Sequence, residues 1–202
     1  MKIFSVNQIK RLDQFTIAHE PIPSIELMER AARTFVKWFT RKFPDAGNRV
    51  HIFCGPGNNG GDGLAIARML SREFYDISAY VLHISSKLSD DFLTNYKNLK
   101  KHRCHLQEIS EGDTFPHLPN GDIIIDAILG SGLNKPVDGY WEKFILYLNQ
   151  QPVVRVSVDI PSGMFADSIT TGTSLHAHLT LSFELPKLGF LFPENLHRVG
   201  KW

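Results

Sequence analysis

The stretch Arg49-Val50-His51-Ile52-Phe53-Cys54, continuing into Gly55-Pro56-Gly57-Asn58-Asn59-Gly60-Gly61-Asp62-Gly63, decides the fold class. Arg49–Cys54 is apolar and ends in turn residues, which predicts a strand, and Asp62–Ser71 predicts a helix. A strand that passes through glycines straight into a helix opens a βαβ unit. The five glycines between Gly55 and Gly63 are expected to admit φ > 0 and to turn N–H groups inward, towards phosphate at the helix N-terminus. Gly55-x-Gly57-x-x-Gly60 has the form of the dinucleotide fingerprint. That fingerprint also needs an acid about 20 residues on, at the end of the next strand. The next strand ends at Leu82-His83-Ile84-Ser85, and the nearest acid, Asp76, stands before it. No Gly-Lys-Ser/Thr follows either, so a P-loop is excluded.

Outward from this stretch the chain alternates strands and helices. Strands are predicted at Ile77–His83, Asp122–Leu129, Val153–Asp159 and His178–Phe183, and helices after Ser89 and over Tyr140–Asn149. The runs Ile123-Ile124-Ile125 and Val153-Val154 read as strands buried on both faces, as in a parallel sheet covered by helices. Ser89 caps a helix with Asp90 and Asp91 in its first turn and Lys97, Lys100 and Lys101 at its end, where the dipole favours those charges. Together with Arg103 these lysines read as a solvated helix end. Two helices precede the alternation. One is capped by Ser5 and carries Val6, Ile9, Leu12 and Phe15. The other is capped by Ser24 and carries Met28, Ala31, Ala32, Phe35, Val36 and Phe39 as a core-facing stripe. The expected fold is one doubly wound α/β domain over residues 1–202.

In such sheets ligands sit outside the carboxyl ends of the strands, and two more strand ends carry unusual residues. In Asp122-Ile123-Ile124-Ile125-Asp126-Ala127-Ile128-Leu129-Gly130-Ser131-Gly132-Leu133, Asp126 interrupts an apolar strand. A bare carboxylate there would be costly to bury, so it calls for a cation, N–H donors or a proton. In Val156-Ser157-Val158-Asp159-Ile160-Pro161-Ser162-Gly163, Asp159 ends its strand and Ser162 is expected to turn back to the same rim. Two strand-end acids facing a glycine loop suit acid/base work or cation binding.

Composition narrows the classes. Twenty-two basic residues against 21 acidic ones leave a charge of +1, which argues against nucleic acid or an anionic membrane as partner. Two cysteines, Cys54 and Cys104, are too few for a disulfide framework and fit a reducing, cytoplasmic setting. No apolar run approaches the roughly 18 residues of a membrane span. His102, Cys104 and His105, like His176 and His178, complete no zinc spacing.

In this order, GPGNNGGDG at Gly55–Gly63, DAILGSGL at Asp126–Leu133 and DIPSG at Asp159–Gly163 resemble the NAD(P)H-hydrate epimerase family, or YjeF N-terminal domain. The likeness begins at Ile22-Pro23-Ser24 and reaches Lys187-Leu188-Gly189. It implies a Rossmann-like three-layer sandwich with a mostly parallel central sheet, and interconversion of the R and S forms of hydrated NADH or NADPH. The resemblance places substrate at Asn58, Asn59, Gly60, Gly61 and Asp62, at Gly130, Ser131, Gly132, Leu133, Asn134, Lys135 and Pro136, and at Asp159. Gly60 and Gly61 are expected to approach the dinucleotide too closely for a Cβ. The resemblance implies a potassium ion at Asn59, Asp126 and Ser162. Asp159 is the expected acid/base, with Asp62 the spare candidate. The family also implies a homodimer and, in many bacterial relatives, a fused ADP-dependent dehydratase domain; this chain stops about where the family continues into another strand. The rival readings are a nicotinamide dehydrogenase, against which the missing ribose acid speaks, and a non-catalytic nucleotide-binding or scaffold protein on the same fold.

Overall fold

The computed structural model describes residues 2–102 and 104–202; Arg103, read above as part of a solvated helix end, lies outside them. After α1 (Val6–His19) and α2 (Ser24–Lys42) come β1 (Val50–Cys54), α3 (Asn58–Arg72), β2 (Ile77–Leu82), α4 (Asp90–Leu99) and β3 (His105–Ile109). Then follow β4 (Ile123–Ala127), α5 (Gly139–Gln150), β5 (Val154–Val158) and β6 (Leu179–Leu181). Among the described residues the six strands form one sheet in the order β3-β2-β1-β4-β5-β6. Every neighbouring pair is parallel, with Ile52 opposite Ala79 on one side and Ile125 on the other. The chain therefore starts in the middle of the sheet, winds outward to β3, and returns beside β1 to wind the other way. Between β1 and β4 two loops leave in opposite directions and open a crevice.

Strand alternation sends side chains to two cores. Val50, Ile52 and Cys54 of β1, with Ala79, Val81, Ile125 and Val156, pack under Phe35 and Phe39 of α2 and Leu64 and Ile66 of α3. Phe53, Tyr80 and Ile124 point the other way, onto Phe144, Ile145 and Leu148 of α5. Helices on both faces explain why the central strands are buried throughout. Among the described residues no helix is long and apolar enough to cross a membrane.

Three expectations need correction. The helix after β1 starts at Asn58, not Asp62, so Asn58–Gly61 form its first turn. Ser24 does not cap α2: Pro23 holds that position, and the Ser24 hydroxyl donates to Asp91 Oδ1 at 3.0 Å. No residue of α1 is buried, and Phe15 is 58% exposed. Finally, the sequence pattern predicts no strand at β3. It is an edge strand, paired to β2 alone, and only Ile109 is buried. An edge strand with most side chains in water lacks the alternation that marks a strand in sequence.

Candidate active site

A cleft of about 810 Å³ opens at the carboxyl ends of β1, β4 and β5, within the size range of small-molecule and cofactor sites. Its floor is Pro56, Gly57, Asn58 and Asn59 from the β1–α3 junction and Ile128 to Leu133 after β4. Asp62, Asp159 and Lys187 stand in its wall, and Ile9, Asp13 and Ile17 of α1 lie across it.

The glycines at the β1–α3 junction act through contact rather than through φ, since none of Gly55, Gly57, Gly60, Gly61 and Gly63 has positive φ. A Cβ on Gly60 would lie 1.7 Å from the Gly55 carbonyl oxygen, and one on Gly61 would lie 2.9 Å from Met28 Sδ. Both residues are buried against protein and do not line the cleft, so the expected steric demand comes from the fold and not from a ligand. What faces the cleft is the start of α3, where Gly57 offers no capping side chain and the first N–H groups stay free for an anion.

After β4 only the near half of the expected segment lines the cleft. Gly130, Ser131, Gly132 and Leu133 do; Asn134, Lys135 and Pro136 are exposed beyond it. Asp126 and Ser162 lie beneath the rim, both fully buried. Asp126 Oδ2 accepts from Ser157 Oγ at 2.9 Å and from the Ser162 N–H at 2.8 Å, while Oδ1 accepts from the Ser162 hydroxyl and from the Ile128 N–H at 3.3 Å. Ser162 Oγ in turn accepts from the Leu129 N–H at 2.8 Å. This network ties the loops after β4 and β5 together. Burial pushes the Asp126 carboxyl up, and the hydrogen bonds from Ser162, Ser157 and Ile128 oppose that.

Asp159 follows β5 with φ +66°, a left-handed conformation that Asp tolerates better than most residues. Its Oδ1 accepts from Lys187 Nζ at 2.6 Å, from the Phe183 N–H at 2.9 Å and from Ser182 Oγ at 3.5 Å. None of these donors reaches Oδ2. Lys187 is 2% exposed and also donates to the carbonyls of Phe183 and Leu185, both at 3.2 Å. Asp62 is different: burial holds its carboxyl well above the usual carboxylate range, and Asp159, Asp91 and Asp13 push the same way. At the cleft mouth Glu184 is pushed up to about 7 by burial and by Asp13, which is itself raised by burial.

A family model described as YjeF-related protein N-terminus matches residues 24–189. This chain belongs to that family. Among curated YjeF-related proteins, the NAD(P)H-hydrate epimerase of Limosilactobacillus fermentum is 34% identical, over 96% of this chain and 91% of its own length. That of Rhodopirellula baltica is 33% identical, over 91% and 75%. The bifunctional NAD(P)H-hydrate repair enzyme Nnr of Dictyoglomus turgidum is 35% identical across the whole chain, which spans only 39% of that protein. The crystal structure of yeast ynu0 superposes with a TM-score of 0.78 at 24% identity, over 94% of this chain and 83% of that one, and shares the fold.

For this YjeF-related chain the expected cation site can be tested on its own atoms. Asn59 is 8% exposed, lines the cleft and lies against Gly130, yet neither its Oδ1 nor its Nδ2 has a hydrogen-bond partner. Orphaned amide atoms are costly to bury, and an amide oxygen, a carboxylate and a hydroxyl are the kinds of oxygen donor that suit a hard monovalent cation. Lys187 and the α1 residues were not expected in the site. In the sequence Lys187 belongs to the Lys187-Leu188-Gly189 tripeptide, and its one signal is a lysine among apolar residues near the C-terminus. Asp13 carries no signal, because only the packing of α1 brings it over the cleft.

Proposed function

We propose that this protein epimerises the C6 hydroxyl of hydrated NADH and NADPH; relatives of its length are named NAD(P)H-hydrate epimerase. The observation that carries this reading is the 34% identity to an NAD(P)H-hydrate epimerase over 96% of the chain and 91% of that relative's length. Of the bifunctional relatives the chain spans well under half, so the proposal is confined to epimerisation.

The geometry supplies what the reaction needs. The pyrophosphate suits the free N–H groups at the start of α3. The nicotinamide end then reaches Asp159, which lines the cleft and is fixed by Lys187 through Oδ1, leaving Oδ2 without those donors. Loss of the C6 hydroxyl leaves a cationic ring, stabilised by the ring nitrogen's lone pair and by the carboxylate beside it. Asp159 serves as an acid/base for the oxygen at C6. A potassium ion, held by Asn59, Asp126 and Ser162, would offset the charge of Asp126 and stiffen the two loops of the floor. The missing ribose acid argues against a dehydrogenase, and the epimerase relatives argue against a scaffold. The test is to incubate the protein with pure R-hydrate and follow the S form by chromatography. No excess over the spontaneous rate rejects the reading.

A further inference from the structure

Inversion at C6 means that hydroxyl leaves one face of a flat cationic ring and water adds to the other. A carboxyl fixed on one side serves one face only. The cleft holds Asp159 at the end of β5, and on another element, α3, it holds Asp62. The two carboxyls are equipped differently. Asp159 accepts three hydrogen bonds through one oxygen, including that of a buried ammonium. Asp62 accepts no hydrogen bond from any described side chain or backbone group, and its neighbours Asp159, Asp91 and Asp13 are all acids, a setting that favours the proton.

Resting on the epimerase reading, we propose that Asp62 is a second catalytic acid/base, serving the ring face opposite Asp159. From one epimer, the C6–O bond breaks with its electron pair going to oxygen. That oxygen takes the proton of Asp62 and departs as water, while the nitrogen lone pair forms the C=N bond. On the other face a water oxygen supplies the pair for the new C6–O bond, the C=N pair returns to nitrogen, and Asp159 takes the water's proton. The site carries one proton between two carboxyls, and the reverse reaction moves it back; between turnovers solvent at the cleft mouth resets it. The burial that raises Asp62 supports its holding that proton at rest.

The experiment follows oxygen-18 from labelled water into both epimers. In the parent protein each epimer starts reacting and label appears with inversion. Asp62→Asn keeps shape and removes the exchangeable proton, so epimerisation falls on the order of 10²–10⁴-fold. Through Asp159 it still exchanges label, without inversion, into one epimer. Asp159→Asn does the same for the opposite epimer. Affinity for the oxidised dinucleotide, measured by calorimetry on each preparation, checks that the site is intact, and Asp62→Ser repeats the test should the Asn variant misfold. Epimerisation within a few-fold of the parent in Asp62→Asn, or label entering the same epimer in both variants, overturns the proposal. A parent protein without epimerase activity would instead reject the functional reading itself.

Discussion

Lys187 Nζ stands 2.6 Å from Asp159 Oδ1, with the lysine side chain 2% exposed and the aspartate 17%. An ammonium this deep requires its acceptors, and among the described residues the carboxylate is the only charged one it bonds. Loss of either partner leaves the other unmatched in low dielectric. The single substitutions Asp159→Asn and Lys187→Met are therefore not expected to add. A double-mutant cycle in urea should return a coupling of roughly 0.5–3 kcal/mol, and strict additivity would mean that the pair does not act as a unit. Lys187→Arg should rescue neither stability nor rate, because a planar fork cannot converge on three acceptors that a rotatable ammonium reaches.

The β1–α3 junction makes a sharper structural prediction. A Cβ on Gly55 would lie 1.8 Å from the Ile128 carbonyl oxygen, backbone against backbone, at the crossing of the two floor loops. Gly57, two residues on, meets nothing within 4 Å and has φ −93°, which alanine adopts freely. Gly55→Ala should lose more than the roughly 1–3 kcal/mol of ordinary overpacking, while Gly57→Ala should stay within about 1 kcal/mol of the parent. Thermal unfolding of the two variants side by side decides it. Equal stability would mean that the contact between the floor loops relaxes easily.

How far the sequence announced all this depends on where each residue sits. Ile123-Ile124-Ile125 told of a two-sided strand because helices cover both faces, and Ser89 told of a helix start because its hydroxyl accepts from the Phe92 N–H at 3.2 Å. His105–Ile109 was silent, since an edge strand exposes the side chains whose alternation would reveal it. Asp126, Asp159 and Asp62 stood out because acids in apolar or glycine-rich company have few reasons to be there. Their division of labour was not legible. It depends on Lys187, 28 residues after Asp159, and on carboxyls that only the packing of α1 and α4 brings near Asp62. The glycines were conspicuous, but their reason was misread: sequence shows that a Cβ is missing, and only packing shows what stands in its place.

The acid pair at the cleft mouth has a pH signature. Glu184, at φ +57°, faces Asp13 of α1, with Lys187 and Asp159 behind it, and is held near 7 by burial and by the Asp13 charge. A carboxyl whose folded-state pKa lies above its ordinary 4.5 contributes stability that is complete below 4.5 and is lost as pH rises through about 7. Melting temperature should therefore fall between pH 5 and pH 8. In Glu184→Gln that fall should be shallower, with the variant gaining most on the alkaline side. Parallel curves for parent and variant would show that Glu184 does not hold this proton.

The last prediction turns on the two orphaned atoms of Asn59. An unsatisfied buried amide costs about 1–3 kcal/mol, so replacing it with a side chain of similar volume and no polarity should help the protein when nothing binds there. If a potassium ion is what Asn59, Asp126 and Ser162 are arranged for, the sign reverses once the ion is supplied. A ligand that binds only the folded state stabilises it by mass action, and the leucine variant has surrendered one of the ligands. Asn59→Leu should therefore melt at or above the parent in choline chloride and below it in saturating potassium chloride. Sodium chloride at equal ionic strength serves as the control for screening. A parent protein whose melting temperature is the same in choline and in potassium would leave the amide without a cation to explain it. Should the variant prove less stable in both salts, Asn59 matters to packing and not to an ion.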